Sequence, residues 1–421
     1  MQRGNGQFVL NFQPYIDERT RYFIGREWVF RAIDNWLADS EGKRVLLLLG
    51  EPGSGKTALA GRLIQISEQI VSSPGEFACL SPGFLSAFHY CSAQDPRWII
   101  PNTFIESLAL QLARRYSAFA SALAEQRTNR RVQIHIDVQQ RIEQGQAIGV
   151  QIKQLDVGGT APEDAFNHTV CEPLEVLLRK EPDLHPLILV DALDEALNYS
   201  GTCSIVSLLA QIHTLPTQVR FLLTSRPDNR IERTWSHAMQ KLLLSAPEFY
   251  QENQNDIRRY VHIRIEGGLL QTQQAGTVEP TVLAQTGALI EPIVQKADGN
   301  FQYVYFLLET LASEQWSLTE LERLPQGLEE LYVAYLQRAG ERWKGDWTLD
   351  YTPLLGVLAV AQENPTLAQL RAFLPQKPEA SLLHCLNDLQ QFIEEIQAAG
   401  GETRYRTTVA LVWEEGRGST R

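Results

Sequence analysis

A chain of 421 residues with 44% apolar and 21% charged residues has ordinary globular composition, and its length allows two or three domains with an ample core. The net charge of −12, with no local basic run, disfavours nucleic acid and anionic membrane as partners. Cys79, Cys91, Cys171, Cys203 and Cys385 lack C-x-x-C spacing, which argues against a disulfide scaffold or zinc site and for a reducing compartment. No stretch of about 18 apolar residues occurs, and the N-terminus has no apolar signal core. A soluble, cytoplasmic protein is the expectation.

Residues 1–20 are largely polar, with Phe8, Val9, Leu10 and Phe12 as the only apolar cluster. From Tyr22 onward, FIGREWVFRAIDNWL sets Trp28, Ile33, Trp36 and Leu37 on one helical face after a turn at Gly25. Five apolar residues, Val45 to Leu49, then read as a strand buried on both faces. Gly50 through Thr57 fit G-x-x-x-x-G-K-[ST], the spacing of a phosphate-binding loop. Gly50, Gly53 and Gly55 permit the backbone turns that bring N–H groups onto phosphate oxygens, with Ser54 between them. Lys56 reaches the β/γ-phosphates, Thr57 supplies a hydroxyl for Mg²⁺, and Ala58 opens a helix whose dipole favours the same anion. An element just upstream of such a strand commonly lies near the nucleotide base, so Gly25, Arg26 and Glu27 are candidates for that contact. The alternative is a packing helix with an exposed Arg–Glu pair.

Phe84 to Ala93 alternates as a strand should, with His89 read as a core histidine, and Thr103 to Tyr116 has helical periodicity. Between about 130 and 157, Val132, Ile134, Ile136 and Val138, then Ile148, Val150 and Ile152, alternate around Gly145 and Gly149, which suggests an inserted two-stranded excursion. LILVDALDEAL, Leu187 to Leu197, is an apolar strand ending in a carboxylate, and Asp191 at its tip can hold Mg²⁺ through a bound water. Asp194 or Glu195 on the following turn is placed to orient the attacking water; an acidic helix N-terminus without catalysis is the alternative. VRFLLTSRP, Val219 to Pro227, delivers Arg226 at a strand end, where it can sense the γ-phosphate, and Lys241 to Ser245 reads as a fifth strand. Beyond Asn255 the pattern is helical, with a glutamine-rich linker at Gln271 to Gln274 and a helix break at Gly299 and Asn300. A further helix follows over Leu324 to Ala339, and helices separated by Pro365 and Pro378 suit a small winged-helix module.

FIGRE (Phe23–Glu27), GEPGSGKT (Gly50–Thr57), DALDEA (Asp191–Ala196) and LLTSRP (Leu222–Pro227), in that order, resemble the NACHT-type branch of the STAND class of P-loop NTPases. Ala192 directly after the magnesium aspartate is similar to the NACHT version, and DGNFQYVYFLLETL and LPQGLEELYVAYL resemble the helical and winged-helix entry segments of bacterial and cyanobacterial members. The likeness runs from about Phe12 to about Ile396. It implies an α/β fold with a parallel five-stranded sheet of order 5-1-4-3-2, a helical domain and a partial winged helix. The expected partition is 1–43 for the N-terminal segment, 44–250 for the NTPase, 251–340 for the helical domain and 341–421 for the winged helix. It further implies ATP/ADP and Mg²⁺ as cofactors, slow hydrolysis, an ADP-locked monomer and an ATP-bound self-oligomer. In this picture Lys56, Thr57 and Asp191 hold Mg·ATP, Asp194 or Glu195 places the water, and Arg226 reports the γ-phosphate.

The resemblance also implies an effector domain before the NTPase and a repeat sensor after it, and neither is visible; a core fragment, a short form served by effectors or sensors in trans, or a truncated frame is expected. Relatives end the winged helix in a histidine that holds ADP, whereas here none follows His384, which reads as a packed core residue. A poorly latched switch is the expectation. Two other readings stay open: an interaction module whose nucleotide is structural, and a DNA-handling ATPase, against which the charge and the lack of a basic recognition helix weigh.

Overall fold

A computed structural model describes residues 10–93, 95–126, 135–143, 146–265, 290–312, 325–328, 330–332, 351–361, 363–389, 393–397 and 402–407. The chain divides into two compact units, Met1–Leu324 and Pro325–Arg421. The division falls at 324/325, so the sheet and the helices up to residue 312 share one unit. The Gln271–Gln274 linker, most of the Leu324–Ala339 helix and the C-terminal tail lie outside the described residues.

Five parallel strands form the sheet of the first unit: β1 (Val45–Leu49), β2 (Ala87–Tyr90), β5 (Leu187–Asp191), β6 (Arg220–Ser225) and β7 (Met239–Leu243). Their order is β2-β5-β6-β1-β7. Labels β3 (His135–Glu143) and β4 (Gln146–Asp156) belong to a separate antiparallel hairpin inserted after β2. With the sheet strands alone counted, the order from the β7 edge is 5-1-4-3-2. β7 begins two residues before the expected Lys241, because its pairing with β1 starts at Met239↔Val45; Leu244 still donates its N–H to Leu49 O at 2.8 Å.

β1 lies between β6 and β7, which explains its unbroken apolar run: every side chain must be buried whichever face it meets. Val45, Leu47 and Leu49 enter one core with Phe104, Leu108, Phe119, Leu174 and Leu177, drawn from α4 (Pro101–Arg115), α5 (Ser117–Glu125) and a helix over Glu172–Lys180. Leu46 and Leu48 enter the other with Ile16, Phe30, Ile33, Leu59 and Leu63, from α1 (Gln13–Thr20), α2 (Glu27–Ala38) and α3 (Lys56–Ser67). The result is three layers, helices on both faces of the sheet. The hairpin joins the first core through Ile152 and Leu155 of β4.

β2 is an edge strand, and its exposed peptide at Phe88 is taken up by a side chain: Gln111 of α4 accepts from Phe88 N at 3.0 Å and donates to Phe88 O at 2.8 Å. His89 is fully buried between the rings of Phe12 and Phe104, and its Nε2–H donates to Trp98 O at 2.8 Å. Burial pushes the imidazole down to about 4.

Three helices, Thr352–Val360, Leu367–Phe373 and Glu379–Asp388, precede an antiparallel pair, β8 (Ile393–Gln397) and β9 (Thr403–Thr407), in the second unit. Thr366 bridges to Arg404 and closes a capping box with Gln369. His384 is exposed, contrary to its reading as a core residue. On this helix the buried stripe is Leu382, Cys385, Leu386 and Leu389, spaced i, i+3, i+4 and i+7, and position 384 falls off it. Among the described residues no helix is long and apolar enough to cross a membrane.

Candidate nucleotide site

Parallel pairing brings the carboxyl ends of the central strands to one edge. Leu49 lies level with Ser225, and Val190 with Leu223, so Gly50, Asp191 and Thr224 emerge together. That is where open α/β sheets bind ligands. Gly53 and Gly55 take the left-handed conformation, φ +81° and +88°, between the end of β1 and the first turn of α3, where Thr57 and Ala58 lie. A Cβ on Gly50 would overlap the Ser54 hydroxyl, which would have to turn aside to admit any larger residue there. The Lys56 ammonium rests on Gly50 O at 2.5 Å, Glu51 O at 3.1 Å and Ser54 Oγ at 3.4 Å. Burial lowers its pKa, opposed by the charges of Asp191 and Asp194.

Asp191 is fully buried. Its Oδ1 accepts from Thr224 Oγ1 at 2.6 Å, while Oδ2 has no hydrogen-bond partner. Burial raises this carboxyl above its ordinary range; the Thr224 and Thr57 hydroxyls and the Lys56 charge pull the other way. An orphaned buried oxygen is costly and asks for a donor or a cation. Beside a hydroxyl at the mouth of a phosphate loop, this donor set fits Mg²⁺ held jointly with phosphate oxygens. Among the described residues no cluster of three or more His, Cys, Asp or Glu could hold a metal ion. Ala192, next in the chain, sits at φ +54° and donates to Thr224 Oγ1 at 2.9 Å.

The acidic pair is divided between two tasks. Asp194 Oδ1 accepts from Arg226 N at 3.1 Å, and its Oδ2 lies 3.3 Å from Arg226 Nε. Glu195 is turned away toward the end of β2, where Oε2 accepts from Ala93 N at 2.8 Å, and burial raises its pKa. Arg226 remains half exposed on the site.

Arg26 is buried rather than displayed at the surface. It stands at φ +66° and donates to Ser54 O at 2.6 Å and to Asn253 Oδ1. Asp256 accepts from Arg26 N and from Trp28 Nε1, both at 3.1 Å, while Glu27 pairs with Arg259 at 2.8 Å. The segment 25–28 is therefore sewn to the helix Tyr250–Arg264 as well as to the phosphate loop. Burial lowers the Arg26 guanidinium to about 10, against the attraction of Asp256.

Sequence reading missed four residues that shape this site: Thr224 as an anchor for Asp191, Asn253 and Asp256 beneath Arg26, and Asn300, whose amide donates to Pro52 O at 2.9 Å. Only Asn300 carried a signal, a polar residue immediately before an apolar helix.

Fold and loop together define a nucleotide-binding P-loop NTPase. Residues 26–145 match the family model described as Nephrocystin 3, N-terminal. That match covers the phosphate loop and part of the chain around it, and with the ordered motifs it makes the chain similar to P-loop NTPases of the NACHT/STAND type. Solved structures similar to it include the Drosophila ORC bound to DNA, at 14% identity over 95% of both chains with a TM-score of 0.33. The ORC1 protein of Aeropyrum pernix in complex with DNA shares 15% identity over 91% of this chain and 90% of that one, TM-score 0.33. A STAND protein with a tetratricopeptide repeat sensor from Pyrococcus horikoshii shares 16% over 91% of this chain and 41% of that one, TM-score 0.29. Comparison with curated proteins returns no match.

Proposed function

We propose that this chain is an ATP-binding switch that hydrolyses ATP slowly and changes conformation or self-associates on exchange of ADP for ATP. The observation that carries the reading is the unpartnered, buried Asp191 Oδ2 at the mouth of the phosphate loop. Bound Mg·ATP would complete it. The chemistry such an ion supplies is charge neutralisation of the phosphates. Lys56 and the loop amides then bind the β/γ-phosphates, Thr57 and Asp191 take the metal, Arg226 reaches the γ-phosphate, and Asp194 or Glu195 accepts from the water. Both carboxylates already have protein partners, which supports slow rather than fast turnover. The same engagement favours a second reading, a nucleotide-bound interaction module without turnover. The three helices and β8–β9 pair support a winged-helix reading of the second unit, with effectors or sensors supplied in trans.

The test is ATP turnover with Mg²⁺ and with EDTA, beside the particle mass with ADP and with a non-hydrolysable ATP analogue. Slow Mg²⁺-dependent turnover and a mass that rises with the analogue are expected. Binding without turnover selects the module reading, and no binding of either nucleotide overturns both.

A further inference from the structure

The outer side of the phosphate loop is fastened to the first turn of the helix Phe301–Ala312. Asn300 Nδ2 donates to Pro52 O at 2.9 Å, and the Phe301 and Gln302 amides donate to Gly53 O at 3.0 and 3.4 Å. Arg26 takes the next carbonyl, Ser54 O. Three consecutive loop carbonyls are thereby held outward. In a trans peptide the N–H points opposite to the carbonyl before it, so the amides of Gly53 and Gly55 are turned inward, where a phosphate would sit.

Asn300 does this while capping its own helix, since its Oδ1 accepts from Tyr303 N at 3.0 Å. The loop is shaped to receive it: a Cβ on Gly53 would overlap the Asn300 amide and crowd Gln302. The clamp is braced from behind, with the Arg26 guanidinium 4.7 Å from the centre of the Phe301 ring and the Tyr260 ring edge-on to it at 5.6 Å.

We propose that Asn300 and the first turn of the 301–312 helix are a positioning clamp for the phosphate loop, through which nucleotide occupancy is coupled to that helix. The proposal rests on the nucleotide-site reading above. Phosphate on the inward Gly53 amide fixes the Pro52–Gly53 peptide plane, whose carbonyl Asn300 holds. Nucleotide therefore tightens the helix start, and an intact helix start tightens nucleotide, by the same factor.

Asn300→Ser separates the two roles of the side chain, because serine still caps Tyr303 N but has no amide to reach Pro52 O. Titration calorimetry on the full chain with Mg·ADP and with a non-hydrolysable ATP analogue is expected to show about a three- to tenfold loss of affinity for both, the worth of one hydrogen bond. Hydrogen exchange supplies the readout that mere packing would not move. In the parent, exchange in a peptide spanning 298–306 slows when Mg·ADP is added, and in Lys56→Ala it does not respond.

Parental affinity in Asn300→Ser, or exchange at 298–306 that ignores ADP in a parent that binds it, overturns the clamp and leaves the nucleotide site standing. Failure of the parent to bind either nucleotide overturns the site itself, and the clamp with it.

Discussion

Thr224 Oγ1 donates to Asp191 Oδ1 at 2.6 Å and accepts from Ala192 N at 2.9 Å, so one hydroxyl on β6 sets both the carboxylate and the turn that follows it. Thr224→Val keeps the shape and removes both bonds. Unfolding stability is expected to fall by about 1–3 kcal/mol, the cost of stranding buried polar groups, and the Mg²⁺ concentration needed for half-maximal turnover to rise. Thr224→Ser should recover most of both. Parental Mg²⁺ dependence in the valine variant would show that the hydroxyl serves packing alone.

Lys56→Ala should abolish nucleotide binding and leave the melting temperature near that of the parent. Its ammonium lies on loop carbonyls at the surface of the site, and its removal opens no core cavity. Calorimetric titration beside thermal unfolding checks both halves. Equal affinity in parent and variant removes the phosphate-loop assignment.

Glu195→Gln retains an oxygen for Ala93 N while removing the charge, whereas Asp194→Asn weakens the hold on Arg226. If Glu195 activates the water, Glu195→Gln stops turnover with nucleotide affinity retained. If Asp194 does, only Asp194→Asn stops it. Arg226→Ala should weaken ATP more than ADP, since only ATP offers the γ-phosphate. Equal losses for the two nucleotides would assign Arg226 to the fold.

Ala192 occupies left-handed backbone at φ +54°, a conformation that costs an L-residue roughly 1 kcal/mol relative to glycine. Ala192→Gly is expected to leave stability unchanged or raise it by up to about 1 kcal/mol, the relief being partly offset by the freer unfolded chain. Ala192→Val should lower it by more than that. Denaturant midpoints decide, and a stabilising valine would contradict the strained turn.

His89, with its folded pKa near 4, stays neutral while the unfolded chain takes up a proton below about 6.5. The unfolded state then binds more protons, so stability falls as pH drops from 6.5 toward 4, by roughly 3 kcal/mol over the whole window. Glu106, raised to about 6 by burial, acts in the opposite direction between its unfolded value and 6. Comparing His89→Gln with the parent isolates the histidine. The stability difference should be flat above pH 6.5 and change steadily below it, and a difference independent of pH removes His89 from the account.

The sheet was legible because its central strands are written as unbroken apolar runs, Val45–Leu49 and Leu187–Val190, each followed by candidate site residues. The positions of Asp191, Lys56 and Thr57 at the carboxyl edge of the sheet were legible for the same reason: spacing along the chain fixes them relative to a strand end. Thr224 to Asp191, Arg26 to Asn253 and Asn300 to Pro52 were not, since these bonds join residues 33, 227 and 248 positions apart. No local pattern records such a pairing. The alternative for Arg26, half of an exposed pair, failed likewise, because its burial comes from a helix more than two hundred residues on. His384 was misread through periodicity rather than distance, as a histidine inside an apolar helix lies on the buried stripe only at the right phase.

Gln111 lies along the outer margin of β2 and satisfies the Phe88 amide and carbonyl as another chain's backbone would. A visiting strand would have to evict this side chain before it could pair at Phe88, and there it would gain only the bonds that Gln111 gives up. At Phe88 the β2 margin is thereby blocked to sheet extension between molecules. Growth of the sheet into fibres or swapped dimers is disfavoured on that side without any charged or proline gatekeeper in the strand itself. Any self-association would then use surfaces other than this point on the β2 margin, and replacing Gln111 with alanine is the change that would reopen it.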